Sequence, residues 1–303
     1  MKKITIMVIV MTIFTFSSAY QASAVTVLPD PTTVYDGIGV ASHYDDFYTY
    51  PASLMMAFAD QGFPVTKSDW DVVAGTGGLD VIIYNGPGSS NINVGSANNF
   101  TFEDAIKAPG GDSSVSGTWG SGDVPAQNNG PVTVGQVLDY LAAQFGPGIT
   151  TPVFNFDSHE NQPNSTNSLD FVGKVSIYDG ATVVKAWYLD NIDNDAFDPT
   201  AWVTVPNTLD LTGDSLHVYT IDNDRAGNSR LDYSVYAPLM DLSLYDRDFL
   251  FVVDLNFQNL DDGFEEVFLS GTFTPGDNVI PEPASMSLLG LGLLGLVRRF
   301  RRK

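Results

Sequence analysis

From Phe171 to Tyr178 the chain alternates two sets of side chains, Phe171, Gly173, Val175 and Ile177 against Val172, Lys174, Ser176 and Tyr178. A period of two is the mark of a strand whose faces meet different surroundings. Asp179-Gly180 supplies turn chemistry, and "ATVVKAWYL" resumes an apolar, β-branched run, so the pattern predicts a hairpin. Shorter runs of the same kind predict strands at Trp202 to Val205, Leu216 to Ile221, Leu231 to Tyr236, Phe249 to Gln258 and Glu265 to Phe273. Their spacing suits a β-sandwich or jelly-roll-like domain, and the fold class expected is mainly β.

Helical periodicity is confined to the first half. Val134, Val137, Leu138, Leu141 and Phe145 fall on one face of a helix from Val134 to Phe145, which Thr133 and Gln136 start as a capping box and Gly146-Pro147 stops. A shorter helix is expected from Leu54 to Asp60, with Ser53 as its cap. "GPGSSNINVGSANN" (Gly86 to Asn99) and "APGGDSSVSGTWGSGD" (Ala108 to Asp123) read as long loops, with one or two helical turns between them in "TFEDAIK" behind Thr101. The composition changes near residue 150. A loop-rich α+β part over 25–150 therefore precedes a mainly β part over 151–276, either as a separate unit or as one domain with it.

The 303 residues include 44% apolar side chains, enough to bury a substantial core. Against 36 acids stand 14 Lys and Arg, a formal charge of −22 that would repel a phosphate backbone, so nucleic acid is not an expected partner. Without any cysteine the chain forms no disulfide, Cys-ligated zinc site, iron-sulfur cluster or thiol nucleophile. Two of the 14 bases lie at positions 2 and 3 and five in the last six residues, which leaves seven against 35 acids across 25–280. Positive charge is thus concentrated at the two ends.

Those ends are addresses. Lys2 and Lys3, an apolar run from Ile4 to Phe16 and then Ala22-Ser23-Ala24 make residues 1–24 a secretory signal, with signal peptidase cutting after Ala24. Pro281-Glu282-Pro283 ends an extended linker over 277–283. An apolar span follows over 284–297, then a basic cytoplasmic tail over 298–303 with Arg298, Arg299, Arg301 and Arg302. As a helix the span would be roughly 21 Å long against a hydrocarbon core of about 30 Å, marginal for a permanent anchor.

Tripeptide, short Gly- and Leu-rich span and terminal arginines, in that order, resemble the PEP-CTERM sorting signal of exported bacterial proteins. The resemblance implies processing by an exosortase, a transient C-terminal hydrophobic helix in the inner membrane, and delivery to the cell surface or the extracellular space. Gly227 to Gly271 is similar to stretches of other exported proteins of this sorted class. The class shares no enzymatic activity, so the likeness bears on destination and not on chemistry.

Candidate chemistry in the exported part is sparse. "DNIDNDAFD" brings Asp190, Asp193, Asp195 and Asp198 together, and "DNDRAGN" offers Asp222 and Asp224; clustered carboxylates on turns are calcium ligands, so calcium is the one cofactor considered. Neither loop completes an EF-hand. With Asp222 as first ligand, Gly227 is correctly placed, but Ala226 takes a ligand position and Tyr233 stands where the bidentate Glu belongs. Asx-turns and solvated strand ends account for the same residues.

His159-Glu160 begins a metalloprotease motif that Pro163 breaks, and His43 has Asp45 and Asp46 beside it without an identifiable nucleophile. Glu265 and Glu266 are neighbours on a predicted strand and point to opposite faces. Trp119, between glycines, is a candidate platform for stacking a sugar ring. No catalytic residue is assigned. The leading expectation is a non-enzymatic surface or matrix protein associated with exopolysaccharide; a secreted carbohydrate-active enzyme using a carboxylate pair and a surface adhesin are the alternatives.

Overall fold

Every residue of strand β8 (Pro152–Asp157) is buried, the pattern of a strand covered on both faces. A computed structural model describes residues 27–71, 83–85, 104–106, 113–119, 131–157, 168–206, 208–213, 217–222, 231–260 and 265–271. Ahead of β8 come β1 (Val34–Tyr35), β2 (Ile38–Gly39), β3 (Ser42–Tyr44), β4 (Phe47–Pro51), β5 (Ile83–Asn85), β6 (Asp104–Ile106) and β7 (Ser113–Trp119). After it come β9 (Ser168–Asp179), β10 (Thr182–Leu189), β11 (Val203–Pro206), β12 (Thr208–Thr212), β13 (Val218–Asp222), β14 (Tyr233–Tyr236), β15 (Leu250–Leu260) and β16 (Glu265–Gly271). Among the described residues the α-helices are α1 (Ala52–Asp60) and α2 (Val134–Phe145).

The protein is mainly β. Seven strands form one sheet in the order β3-β4-β14-β8-β16-β5-β6; β10-β9-β15-β7, with β11 also on β9, form the second; β1-β2 and β12-β13 are separate two-stranded ribbons. All pairings are antiparallel except β5 with β6. The large sheet interleaves strands from the two compositional parts, since β14 pairs β4 on one side and β8 on the other.

The two sheets face each other across one core. Phe154, Phe156, Tyr233, Val235, Val267 and Leu269 of the large sheet pack with Phe171, Val175, Ile177, Val253, Leu255 and Phe257 of the second. Helix α2 closes an end of this sandwich with Val134, Val137, Leu141 and Phe145. On the reverse side of the large sheet, Tyr50, Val153 and Tyr236 join Leu54, Met55 and Phe58 of α1 and Tyr219 and Ile221 of β13 in a second apolar cluster.

Where signals were local, the elements form as the pattern predicts. The α2 capping box is complete: Gln136 N–H donates to Thr133 Oγ1 at 3.2 Å and Thr133 N–H to Gln136 Oε1 at 2.8 Å. In the β9–β10 hairpin Asp179 pairs with Thr182, so Gly180 and Ala181 are the loop residues, and Gly180 takes the left-handed backbone (φ 57°). Gly173 also has a structural reason: a Cβ there would lie 2.5 Å from Leu255 Cδ2.

Three expectations are corrected. "TFEDAIK" contains β6, paired in parallel with β5, rather than helical turns; so short a helix between loops cannot sustain itself, whereas a sheet edge supplies partners. Part of the predicted loop Ala108 to Asp123 is β7, paired antiparallel with β15 from Ser113 to Trp119 with a register shift between Phe257 and Leu260, and Thr118 Oγ1 donates to Asp254 Oδ1 at 2.5 Å. Cross-strand pairing there outweighs the poor strand propensity of Ser and Gly. Helix α1 starts at Ala52 behind Pro51, and Ser53 does not cap it; the Ser53 hydroxyl accepts the Asp222 N–H at 3.0 Å.

After α1 the short turn Lys67–Asp69 buries the Asp69 carboxyl, and burial pushes its pKa up to about 6 against a hydrogen bond from Thr66. A carboxyl raised above its unfolded value of 3.8 binds more protons folded than unfolded between those two values, so its contribution worsens as pH rises through that window. Asp69→Asn is expected to stabilise the protein at pH 7 by on the order of 2–3 kcal/mol and to flatten the fall in stability between pH 4 and 6. Urea titrations at pH 4, 5, 6 and 7 measure both.

Candidate functional site

β3 and β4 are joined by a two-residue turn, Asp45 and Asp46, with Tyr44 paired to Phe47. Asp45 adopts φ 47°, a region aspartate tolerates better than most side chains. The turn grips the end of β10: Asp46 N–H donates to the Tyr188 carbonyl at 3.1 Å, and Tyr188 N–H donates to Asp46 Oδ2 at 2.9 Å. The loop following β10 is thereby held beside the turn.

That loop is organised by its own carboxylates. Asp190 is fully buried and accepts the N–H groups of Ile192 and Asp198, each at 2.9 Å. Asp198 Oδ1 accepts from Thr200 N–H at 2.8 Å and Thr200 Oγ1 at 2.6 Å, and these bonds hold its pKa below the usual carboxylate value. Asn194 Oδ1 accepts from Ala196 N–H. Asp193 is exposed on the same loop, and Asp195, also exposed, sits at φ 54°.

Three carboxylates converge where the turn meets the loop. One oxygen from each of Asp45, Asp46 and Asp195 lies within 4.8 Å of the others. Asp45 is only 6% exposed, and its Oδ2 is buried without a hydrogen-bond partner. Burial first, then the charges of Asp46, Asp190, Asp193 and Asp195, push its pKa up to about 6.

Of the acids singled out in the sequence, the structure thus brings Asp195 to the cluster and uses Asp190 and Asp198 to shape the loop. Asp222 lies instead on β13, against Ser53 of α1. The partners of Asp195 come from the distant "SHYDD" segment, and no local spacing could have revealed them.

Asp45 and Asp46 also line a groove of about 470 Å³, within the size range of small-ligand sites. The His43 and Tyr48 rings meet in its wall with centroids 4.5 Å apart and planes tilted by 35°, and Tyr236, Asp30 and Leu239 also line it. Trp119 is placed on β7, opposite Val253, rather than in a loop. Trp70 and Trp187 are core residues.

Ala22, Ala24, Pro281, Glu282, Pro283, Arg298, Arg299, Arg301, Arg302 and the apolar span 284–297 lie outside the described residues, as do His159, Glu160 and Asp224. Among the described residues no helix is long and apolar enough to cross a membrane.

Comparison with known families finds two matches. Residues 279–303 match the PEP-CTERM protein-sorting motif, which marks an exported protein directed to exosortase. Residues 28–233, more than half of the chain and inclusive of the Asp45–Asp195 cluster, match the family described as Domain of unknown function (DUF8239). No curated protein and no solved structure matches the chain. The chain therefore belongs to the DUF8239 family, carried on an exported polypeptide that ends in a PEP-CTERM sorting signal.

Proposed function

We propose that this is a non-enzymatic protein of the cell surface or extracellular matrix, released there after exosortase processing, and that its groove receives exopolysaccharide. The observation that carries the reading is the sorting motif at the C-terminus of an otherwise acidic exported chain. The groove adds an aromatic pair, His43 and Tyr48, beside carboxylates that can accept hydrogen bonds from sugar hydroxyls. Signal peptidase removes residues 1–24 on export, and the apolar span holds the chain in the inner membrane until exosortase acts.

Mass spectrometry of the protein's C-terminus tests the first half. In cells with an active sorting enzyme the surface or matrix fraction should yield chains lacking residues 298–303; without the enzyme the membrane fraction should retain them. An extracellular form with its arginines intact would defeat the reading. For the second half, the protein should be retained on the producing cell's own exopolysaccharide without releasing reducing sugar, and Tyr48→Ala should lower that retention. Release of reducing ends would point to the carbohydrate-active alternative, and no retention to neither.

A further inference from the structure

We propose that Asp45, Asp46 and Asp195 form a binding site for a hard divalent cation, calcium by its donor set, which fastens the β3–β4 turn to the loop after β10. Oxygens on opposite sides of a calcium ion stand roughly 4.6–5.2 Å apart, because each Ca–O distance is about 2.3–2.6 Å. The three carboxylates, with one oxygen each within 4.8 Å, already fit that sphere.

The independent observation is the buried Asp45 Oδ2. A carboxylate oxygen removed from water without a donor is costly, and among the described residues no side chain or backbone N–H donates to this one. A cation between the turn and the loop supplies the missing partner and offsets the repulsion among the three charges. Of the neighbouring acids, Asp190 gives both oxygens and Asp198 one to N–H groups of the loop itself, whereas Asp46 accepts the Tyr188 N–H through Oδ2 alone. Asp190 and Asp198 build the wall, and Asp45, Asp46 and Asp195 face the ion.

The donors are all oxygen, with neither imidazole nor thiolate in the group, which favours calcium or magnesium over transition metals. Calcium tolerates the irregular geometry of donors drawn from two loops; magnesium demands a near-ideal octahedron. Asp45 and Asp46 also line the groove, so the cluster and the groove share two residues. So few protein ligands place the affinity in the weak class of extracellular modules, with Kd on the order of 0.1–1 mM. An exported protein works where calcium can reach that range. This proposal stands independently of the polysaccharide reading.

The test is thermal melting of the full-length protein in mild detergent, stripped with EDTA and then given 5 mM CaCl2 or NaCl of equal ionic strength. Calcium should raise Tm by about 2–6 °C beyond the NaCl control. Any divalent ion will screen so acidic a chain, and the variants separate screening from binding. Asp195→Asn, exposed and at a φ that asparagine accepts, should lose most of the rise while matching the parent's circular dichroism in EDTA. Asp222→Asn, which removes an equal charge from β13, should keep the rise. Terbium luminescence displaced by calcium should appear in the parent and in Asp222→Asn and be lost in Asp195→Asn. No calcium-specific rise in the parent, or a full rise in Asp195→Asn, would overturn the site.

Discussion

Phe156→Ala is expected to destabilise the protein by about 3–5 kcal/mol and to lower its urea midpoint by about 1–2 M. Phe156 sits at the centre of the sandwich, 2% exposed. Its ring is stacked on Tyr233 of the neighbouring strand at 4.9 Å and 16°, and on Phe171 of the facing sheet at 5.0 Å and 29°, with Phe257 at 6.3 Å. One side chain therefore ties β14 and β8 to both β9 and β15. Truncation removes the transfer free energy of a phenyl ring, leaves a cavity that two rigid sheets cannot collapse around, and loses aromatic pair terms of about 0.5–1.5 kcal/mol each. Phe156→Leu should cost about half as much, because it refills part of the volume. Val184→Ala, at an exposed position of β10, should shift the midpoint negligibly. Equal losses for Phe156→Ala and Val184→Ala would mean that the sheets do not share this core.

What the sequence reveals of this fold depends on how local each determinant is. The α2 capping box and the β9–β10 alternation lie within a dozen residues, and Phe171, Val175 and Ile177 of the hairpin pack in the main core. β7 was hidden because its Ser- and Gly-rich composition matches a loop, and only the register with β15 makes it a strand. β6 was obscured by a helix-like string whose partner β5 lies across a long intervening segment.

The acidic cluster failed to show for the same reason, on a larger scale. Asp46 meets Tyr188 across 142 positions, so nothing within "SHYDD" or "DNIDNDAFD" indicates that the two segments come together. Only half of the candidate site was legible, the loop that carries Asp195. The C-terminal motif was legible because its determinants are contiguous in sequence, and residues 279–303 match the PEP-CTERM protein-sorting motif.

Asn155→Ala should cost on the order of 2–4 kcal/mol, a large loss for a side chain that carries no apolar surface. Asn155 is 1% exposed on β8 and points to the face opposite Phe154 and Phe156. Its Oδ1 accepts from Ser234 Oγ on β14 at 2.7 Å, and its Nδ2 donates to Ser270 Oγ on β16 at 2.7 Å. The amide thus links three adjacent strands through two hydroxyls, both buried. Removing it leaves each hydroxyl without that partner in a site closed to water, and the cost is set by those desolvated groups rather than by the net worth of two hydrogen bonds. The triple variant Asn155→Leu, Ser234→Ala, Ser270→Ala removes donors and acceptors together and should recover at least half of the loss. Urea unfolding of both variants decides the matter: a triple variant as unstable as Asn155→Ala would show that these strands need the amide for more than satisfying each other's polar groups, and that the network's value lies in fixing their register.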